Sequence, residues 1–428
     1  MRFTPWMTAP IVCLAWAPGC KAPEPRAAVD PMLSVNTLIE APPDFAARRV
    51  GSPRYPIPPY AKHLAGVKIC LDPGHGGDAQ QRGFKRGPTG VREAEMNLRV
   101  ANYLREFLHA AGAEVRLTRA DDSDISLEDR AGIANEWGAD LFISVHHNAI
   151  DSKPQVNYTS VWYHAGVDYR PSNLDLARYL CDGLQDALHL PQYTDVPLKS
   201  DQLMYASGFA VLRHARVTAA LTESCFYTNP EQEQRLRDPE YNLREAYGLF
   251  LGLARYAAAG LPRARLVAPS DGIVRVSHSQ NSPHPQGADP GPAGRVAPDP
   301  SRERADAAAG APRPPETTSS SAAIERADVS AAEPPEMERS GAPALIFALD
   351  DGLRSRKAWG HERQMILRDS IVVRIADRVV RHTFENDGYR LTVELPDDLP
   401  PGEHAVEVQF VNLNKNSVLN PHFVVRVE

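Results

Sequence analysis

From Val67 onward, short apolar runs alternate with longer stretches of helical period. Residues 67–71 (VKICL) read as a strand ended by Asp72-Pro73-Gly74. The stretch 93–111 places Met96, Leu98, Val100, Tyr103, Leu104, Phe107 and Leu108 at amphipathic helix spacing, and Gly112 closes it. The same reading predicts strands at 114–118, 140–145, 160–164 and 218–222, and helices at 127–137, 173–188 and 239–259. Strands alternating with helices of this length imply an α/β fold: a mostly parallel sheet with helices on both faces, over 67–260.

Beyond 343 the period switches to two, at 370–375, 389–395, 403–411 and 422–427, with turns at Asn386-Asp387-Gly388 and Pro400-Pro401-Gly402. This predicts an immunoglobulin-like β-sandwich over 344–428. Runs at 265–267 and 272–276 also have strand character. Residues 261–278 are therefore candidate first strands of the same sandwich. Residues 279–343 hold 12 prolines and no aromatic residue, too little apolar surface to offset ordering, and are read as a disordered spacer forming a long loop.

Composition narrows the classes. The chain has 428 residues with a formal charge of −7, and no basic patch dominates, which argues against nucleic-acid binding. Its 38 prolines exceed the ~21 expected at average usage, as unstructured segments require. Residues 1–20 carry one Arg, a short apolar run and small residues before Cys20, the layout of an export leader. Ala17-Pro18-Gly19-Cys20 resembles a bacterial lipoprotein box, making Cys20 the candidate lipidation site and a lipid anchor the expected membrane partner. Such boxes usually carry Leu where Ala17 stands. Residues 21–66 are Pro-rich and read as a tether. Cys70, Cys181 and Cys225, an odd number in the body of the chain, suit buried thiols better than a disulfide framework.

Candidate chemistry gathers at the ends of the predicted strands, where an open α/β sheet forms its ligand crevice. His75 follows the first strand, Glu93 opens the first long helix, His146 ends the third strand, and Glu223 ends a late one. Two imidazoles and a carboxylate suit a catalytic zinc with one open position, and a further carboxylate beside the site suits metal-assisted hydrolysis. Each residue has an ordinary explanation. Glu93 is favoured at a helix start by the dipole alone. His146 and His147 face opposite sides of a strand, and alternation does not choose between them. Glu223 stands out, because an unpaired carboxylate among apolar strand residues is costly.

The motifs themselves go further. Leu71-Asp72-Pro73-Gly74-His75-Gly76-Gly77, Glu93-Ala94-Glu95-Met96-Asn97-Leu98 and Leu117-Thr118-Arg119 follow one another, with Leu127 and Arg130 after them. Then come Ser144-Val145-His146-His147-Asn148-Ala149 and Leu221-Thr222-Glu223-Ser224-Cys225-Phe226-Tyr227-Thr228-Asn229. In order and spacing this set resembles the zinc-dependent N-acetylmuramoyl-L-alanine amidases of bacterial cell-wall remodelling. The resemblance implies that His75, Glu93 and His146 hold one Zn2+, with Glu93 preferred to Glu95 and His146 to His147, and that Glu223 is the catalytic glutamate. It implies peptidoglycan as substrate and an envelope or periplasmic location, with hydrolysis of the amide between N-acetylmuramic acid and L-alanine. Asp72 and Asn148 become candidates to orient a ligand or stabilise the oxyanion, although Asp72 could equally cap its turn.

This chain departs from the family in two places. Cys225 stands where Gly is usual, so either the thiol packs or a positive φ strains it. Between Leu203 and Glu223 there is no room for the inserted helix that blocks the metal in some relatives, so the site is expected to be open. The alternatives are a non-catalytic peptidoglycan-binding scaffold and a zinc peptidase acting on stem peptides. In the C-terminal sandwich, which could bind a glycan or protein partner, Trp359 and Tyr389 are either core residues or a sugar platform.

Overall fold

The computed structural model describes residues 55–81, 83–190, 197–274, 344–353, 365–385 and 389–428. The leader, Cys20, residues 21–54 of the tether, the spacer and Trp359 lie outside these. No helix among the described residues is long and apolar enough to cross a membrane.

A six-stranded sheet carries the first region: β1 (Lys68–Pro73), β2 (Glu114–Leu117), β3 (Leu141–Asn148), β4 (Ser160–Tyr163), β5 (Leu198–Ser200) and β6 (Thr218–Phe226), in the order β2-β1-β3-β6-β4-β5. It is mixed rather than mostly parallel. β4 pairs antiparallel with β6 and carries β5 with it, so two strands run against the other four. The connection from β3 to β4 (149–159) contains no helix, so it returns the chain without the crossover that a parallel neighbour requires.

Helices α1 (Glu93–Ala110), α2 (Leu127–Trp137), α3 (Pro171–Leu188), α4 (Ala210–His214), α5 (Pro230–Arg237) and α6 (Pro239–Ala258) complete the region. Strand alternation divides the core. Ile69, Leu71, Ile143 and Val145 pack with residues of α1, α3 and α6, whereas Cys70, Phe142, Ala219 and Leu221 pack with α2 and α4. Local signals fix the helix ends. Ser126 accepts the Asp129 amide at the start of α2, and Gly138 closes that helix in the left-handed region at φ 64°. The α3–α6 crossing depends on small residues, since a Cβ on Gly183 would lie 2.2 Å from the Gly248 carbonyl oxygen.

The expected tether ends earlier than residue 66. A 3-10 turn, Pro59–Leu64, buries Ala61 and Leu64, and Tyr55 stacks on Tyr247 with ring centroids 4.3 Å apart. The apolar residues at 55–64 lack helical or strand period, yet they cover α1 and α6 and so join the core.

Nine strands form two further sheets: β7 (Arg263–Ala268), β8 (Ile273–Val274), β9 (Ala344–Asp350), β10 (Val372–Ile375), β11 (Arg378–Val379), β12 (His382–Glu385), β13 (Arg390–Glu394), β14 (Gly402–Gln409) and β15 (His422–Val427). One sheet runs β12-β13-β9-β7 and the other β11-β10-β14-β15-β8, with every pairing antiparallel except β15–β8. Phe347 of the first meets Phe423 of the second at 5.0 Å between ring centroids. Strands before and after the spacer thus share sheets, β7 pairing with β9 and β8 with β15. Tyr389 is buried, and its hydroxyl donates to Asp351 Oδ2 at 3.1 Å, so it is a core residue and not a sugar platform.

These sheets dock on the α/β region. Arg263 pairs with Asp140 at 2.8 Å, Asn420 Oδ1 accepts the Thr218 amide at 2.6 Å, and Leu419 enters the α/β core. A fragment starting at Ala344 lacks the partners of β9 and β15. It is expected to unfold at lower urea than one starting at Leu261, and equal midpoints by circular dichroism would refute the shared-sheet assignment.

Candidate metal centre and catalytic carboxylate

β1 and β3 are adjacent and parallel, so the turn after β1 lies beside the end of β3. His75 occupies that turn at φ 59°, a left-handed conformation. Two arginines hold the turn from behind. Arg119 donates to the Pro73, Gly74 and Ala94 carbonyls at 2.7–2.8 Å. Arg130 donates to the carbonyls of Pro73 at 2.9 Å and His75 at 2.7 Å. Gly74 is required for proximity: a Cβ there would sit 2.1 Å from His146 Cε1, so only glycine lets the imidazole lie across the turn.

Glu93 starts α1 and is 2% exposed. Its Oε2 lies 3.0 Å from His75 Nε2 and its Oε1 3.0 Å from His146 Nδ1. The two imidazoles meet edge to face at 4.7 Å. One nitrogen or oxygen from each of the three residues lies within 4.8 Å of the others, and this is the one such His/Cys/Asp/Glu group among the described residues. Burial works against the Glu93 carboxylate, yet the His75 charge and the hydrogen bonds from His146 and His75 hold its pKa well below the usual range. Burial lowers the pKa of His146. An ionised carboxylate beside an imidazole kept neutral is the donor set a divalent cation needs. The residues therefore fit a metal.

Glu223 faces His146 across the β3–β6 pair. Its Oε2 is buried without a hydrogen-bond partner. Burial, and after it the Glu93 charge, push its pKa well above the ordinary carboxylate value, while the Lys85 charge pulls it down. Lys85 comes from the loop before α1, where its carbonyl accepts the Glu93 amide at 3.0 Å. Glu233 pins that loop by accepting the Thr89 and Val91 amides. For Lys85→Ala, loss of the ammonium should disfavour ionised Glu223 and move the acidic limb of the pH–rate profile to higher pH. A limb that stays in place would separate Lys85 from that carboxylate.

The other sequence candidates fall differently. Asp72 is buried and makes no side-chain hydrogen bond to His75, Glu93, His146 or Glu223 among the described residues. It accepts from Thr118 and Ser144 at 2.6 Å each and pairs with Arg130 at 2.8 Å, reaching His75 only through that arginine. Asn148 accepts the amide of Ala149 at 2.8 Å, and no bond from its side chain to His75, Glu93, His146 or Glu223 occurs among the described residues. Its strand is irregular between His146 and Asn148, which turns the side chain onto its own loop. Glu95 is on the outer face of α1, paired with Arg99 at 3.1 Å. Cys225 has no positive φ and is fully buried, its sulfur accepting from Gln232 at 3.2 Å, so the thiol packs. Residues 204–217 form the short α4 and its flanking turns, 218–222 begin β6, and none of them is a carboxylate, so this segment brings no acidic group to the cluster.

Sequence reasoning missed Lys85, Asn97 and Glu245, and weighed His147 only as an alternative ligand to His146. Only the Asn97 signal was available, four residues after Glu93 on the same helix face.

Residues 69–255 match the family described as N-acetylmuramoyl-L-alanine amidase. The chain is 30% identical over 196 residues to "Probable cell wall amidase LytH" of Staphylococcus aureus, a match covering 46% of this chain and 60% of that protein. Among solved structures it is similar to an N-acetylmuramoyl-L-alanine amidase of Clostridium difficile 630, at 27% identity and TM-score 0.40, covering 45% of this chain and 96% of that one. AmiC2 of Nostoc punctiforme gives 26% identity and TM-score 0.39, covering 45% of this chain and 98% of that one.

Proposed function

We propose that this chain, whose residues 69–255 belong to the N-acetylmuramoyl-L-alanine amidase family, hydrolyses the amide between N-acetylmuramic acid and L-alanine in peptidoglycan with the aid of one zinc ion. The observation that carries this reading is the convergence of His75, Glu93 and His146 beside a buried carboxylate oxygen that has no partner. His75, Glu93 and His146 would hold the ion. A zinc ion bound there supplies a Lewis acid for the amide carbonyl and makes water acidic enough to deprotonate near pH 7. Glu223 then acts as the proton carrier. Its free Oε2 accepts the proton of the attacking water, and its raised pKa suits it to return that proton to the leaving amine of L-alanine. The Lys85 charge opposes that rise and so favours the ionised form needed for the first transfer.

The leader with lipidated Cys20 would carry the domain to the cell envelope and hold it to a membrane, in keeping with relatives named cell wall amidases. The C-terminal sheets, read as an immunoglobulin-like sandwich, would engage a glycan or protein partner.

Digestion of purified peptidoglycan, with and without a zinc chelator, tests the activity. Mass spectrometry is expected to find stem peptides beginning with L-alanine, and chelator should abolish them. Cuts inside the peptide would replace the amidase with a peptidase, and zinc binding without any release would favour the scaffold.

A further inference from the structure

The His75–Glu93–His146 cluster has a buried support behind it. Asn97 is one turn along α1 from Glu93 and fully buried. Its amide nitrogen donates to the Gly74 carbonyl at 3.2 Å and to Glu93 Oε1 at 3.4 Å. The amide oxygen then faces His147 Nδ1 at 2.8 Å. A carbonyl oxygen only accepts, so His147 Nδ1 must carry hydrogen, and flipping the amide would set oxygen against oxygen at Gly74. His147 Nε2 meets Glu245 Oε2 of α6 at 3.0 Å, and both side chains are completely buried. The His147 backbone amide also donates to Glu93 Oε1 at 3.3 Å.

The two oxygens of Glu93 are therefore unlike. Oε1 receives the Asn97 amide, the His147 backbone and His146, whereas Oε2 receives His75. We propose that Asn97, His147 and Glu245 are positioning residues that lock the Glu93 carboxylate, engaging Oε1 and presenting Oε2 as the oxygen that holds the metal. This rests on the metal reading of the cluster. α6 is otherwise a packing helix, so Glu245 makes the coordination sphere depend on an element that carries none of the three candidate ligands.

The geometry does not require one protonation state of His147. With Nδ1–H fixed by Asn97, Nε2 can donate to a carboxylate or accept from an amide. Glu245→Gln therefore preserves the chain, and Glu245→Leu breaks it. Supports of this kind typically contribute 10–100-fold to metal affinity.

The test measures zinc affinity by competition with a chromogenic chelator, together with the visible absorption spectrum after cobalt substitution. Asn97→Ala and Glu245→Leu are expected to weaken zinc binding by about 10–100-fold, alter the cobalt bands and lower kcat with KM little changed. Glu245→Gln should restore all three. Wild-type affinity and an unchanged cobalt spectrum in Asn97→Ala and Glu245→Leu would overturn the proposal. Failure of the wild-type chain to bind either metal would instead overturn the metal reading itself. Should Asn97→Ala not fold, Asn97→Ser, smaller and polar, replaces it and is read by the same two signals.

Discussion

Glu223→Gln is expected to lower kcat on peptidoglycan by about 10²–10⁴-fold, the usual contribution of a positioned general base. The change is isosteric and removes only the ability to take a proton. KM and zinc affinity should stay close to wild type, because Glu223 is outside the set formed by His75, Glu93 and His146. The metal-free variant should also be the more stable protein at neutral pH. Burial and the Glu93 charge raise the pKa of Glu223, so in the native state the carboxyl is favoured while protonated. Such a group adds stability at low pH and loses that contribution as pH rises towards its folded-state value. Glutamine removes the penalty, and urea titrations near pH 7 and pH 4 should show the gain at the higher pH alone. A variant that keeps wild-type kcat would remove Glu223 from the chemistry. One that loses zinc together with activity would make it a ligand.

The second large effect is on stability. Asp72→Ala should cost about 3–5 kcal/mol, the usual loss when one partner of a buried ion pair is removed. Asp72 and Arg130 are 1% and 2% exposed and pair at 2.8 Å. Without Asp72, the guanidinium keeps its carbonyl partners but no countercharge, and Thr118 and Ser144 lose their acceptor. Burial acts against ionised Asp72, but the Arg130 charge with bonds from Ser144 and Thr118 outweighs it, so its pKa lies below the usual value. A carboxyl lowered in this way stabilises the fold above its unfolded-state pKa, and the contribution is lost as pH falls through the folded value. Wild type and variant should therefore converge in acid. A loss below about 1 kcal/mol at pH 7 by urea denaturation, as for an exposed pair, would show that Arg130 finds another countercharge.

Both variants act around one turn, 73–76, but through different physics. Asp72 holds the scaffold: through Arg130 it fixes the carbonyl of His75, whose imidazole meets Glu93. Glu223 costs the fold an unpaired carboxylate oxygen, the atom that the proposed reaction would use to take a proton. Such a balance between stability and chemistry is expected where a reactive group must stay unsatisfied until substrate arrives.

Much of this was already written in local sequence. Amphipathic spacing set α1, α3 and α6, and caps at Ser126 and Asp238 fixed the starts of α2 and α6, because these signals act within a few residues. The placement of His75 after β1, and of His146 and Glu223 towards the carboxyl ends of β3 and β6, followed from the alternation of strands and helices, although those strands run on to Asn148 and Phe226. Tertiary structure alone decided the rest. The reversed direction of β4 and β5 depends on a connection whose course no local pattern encodes. Residues 55–64 joined the core because α1 and α6 needed cover there, not because of any period of their own. β7 and β8 found partners on the far side of the spacer, since strand pairing is non-local and a long loop adds little to the entropic cost of closure. His147 and Glu245, 98 residues apart, came together only when α6 packed over β3 and α1. A sequence pattern names which residues can carry a charge. Only the packed fold determines which of them lose water, and so which must find each other.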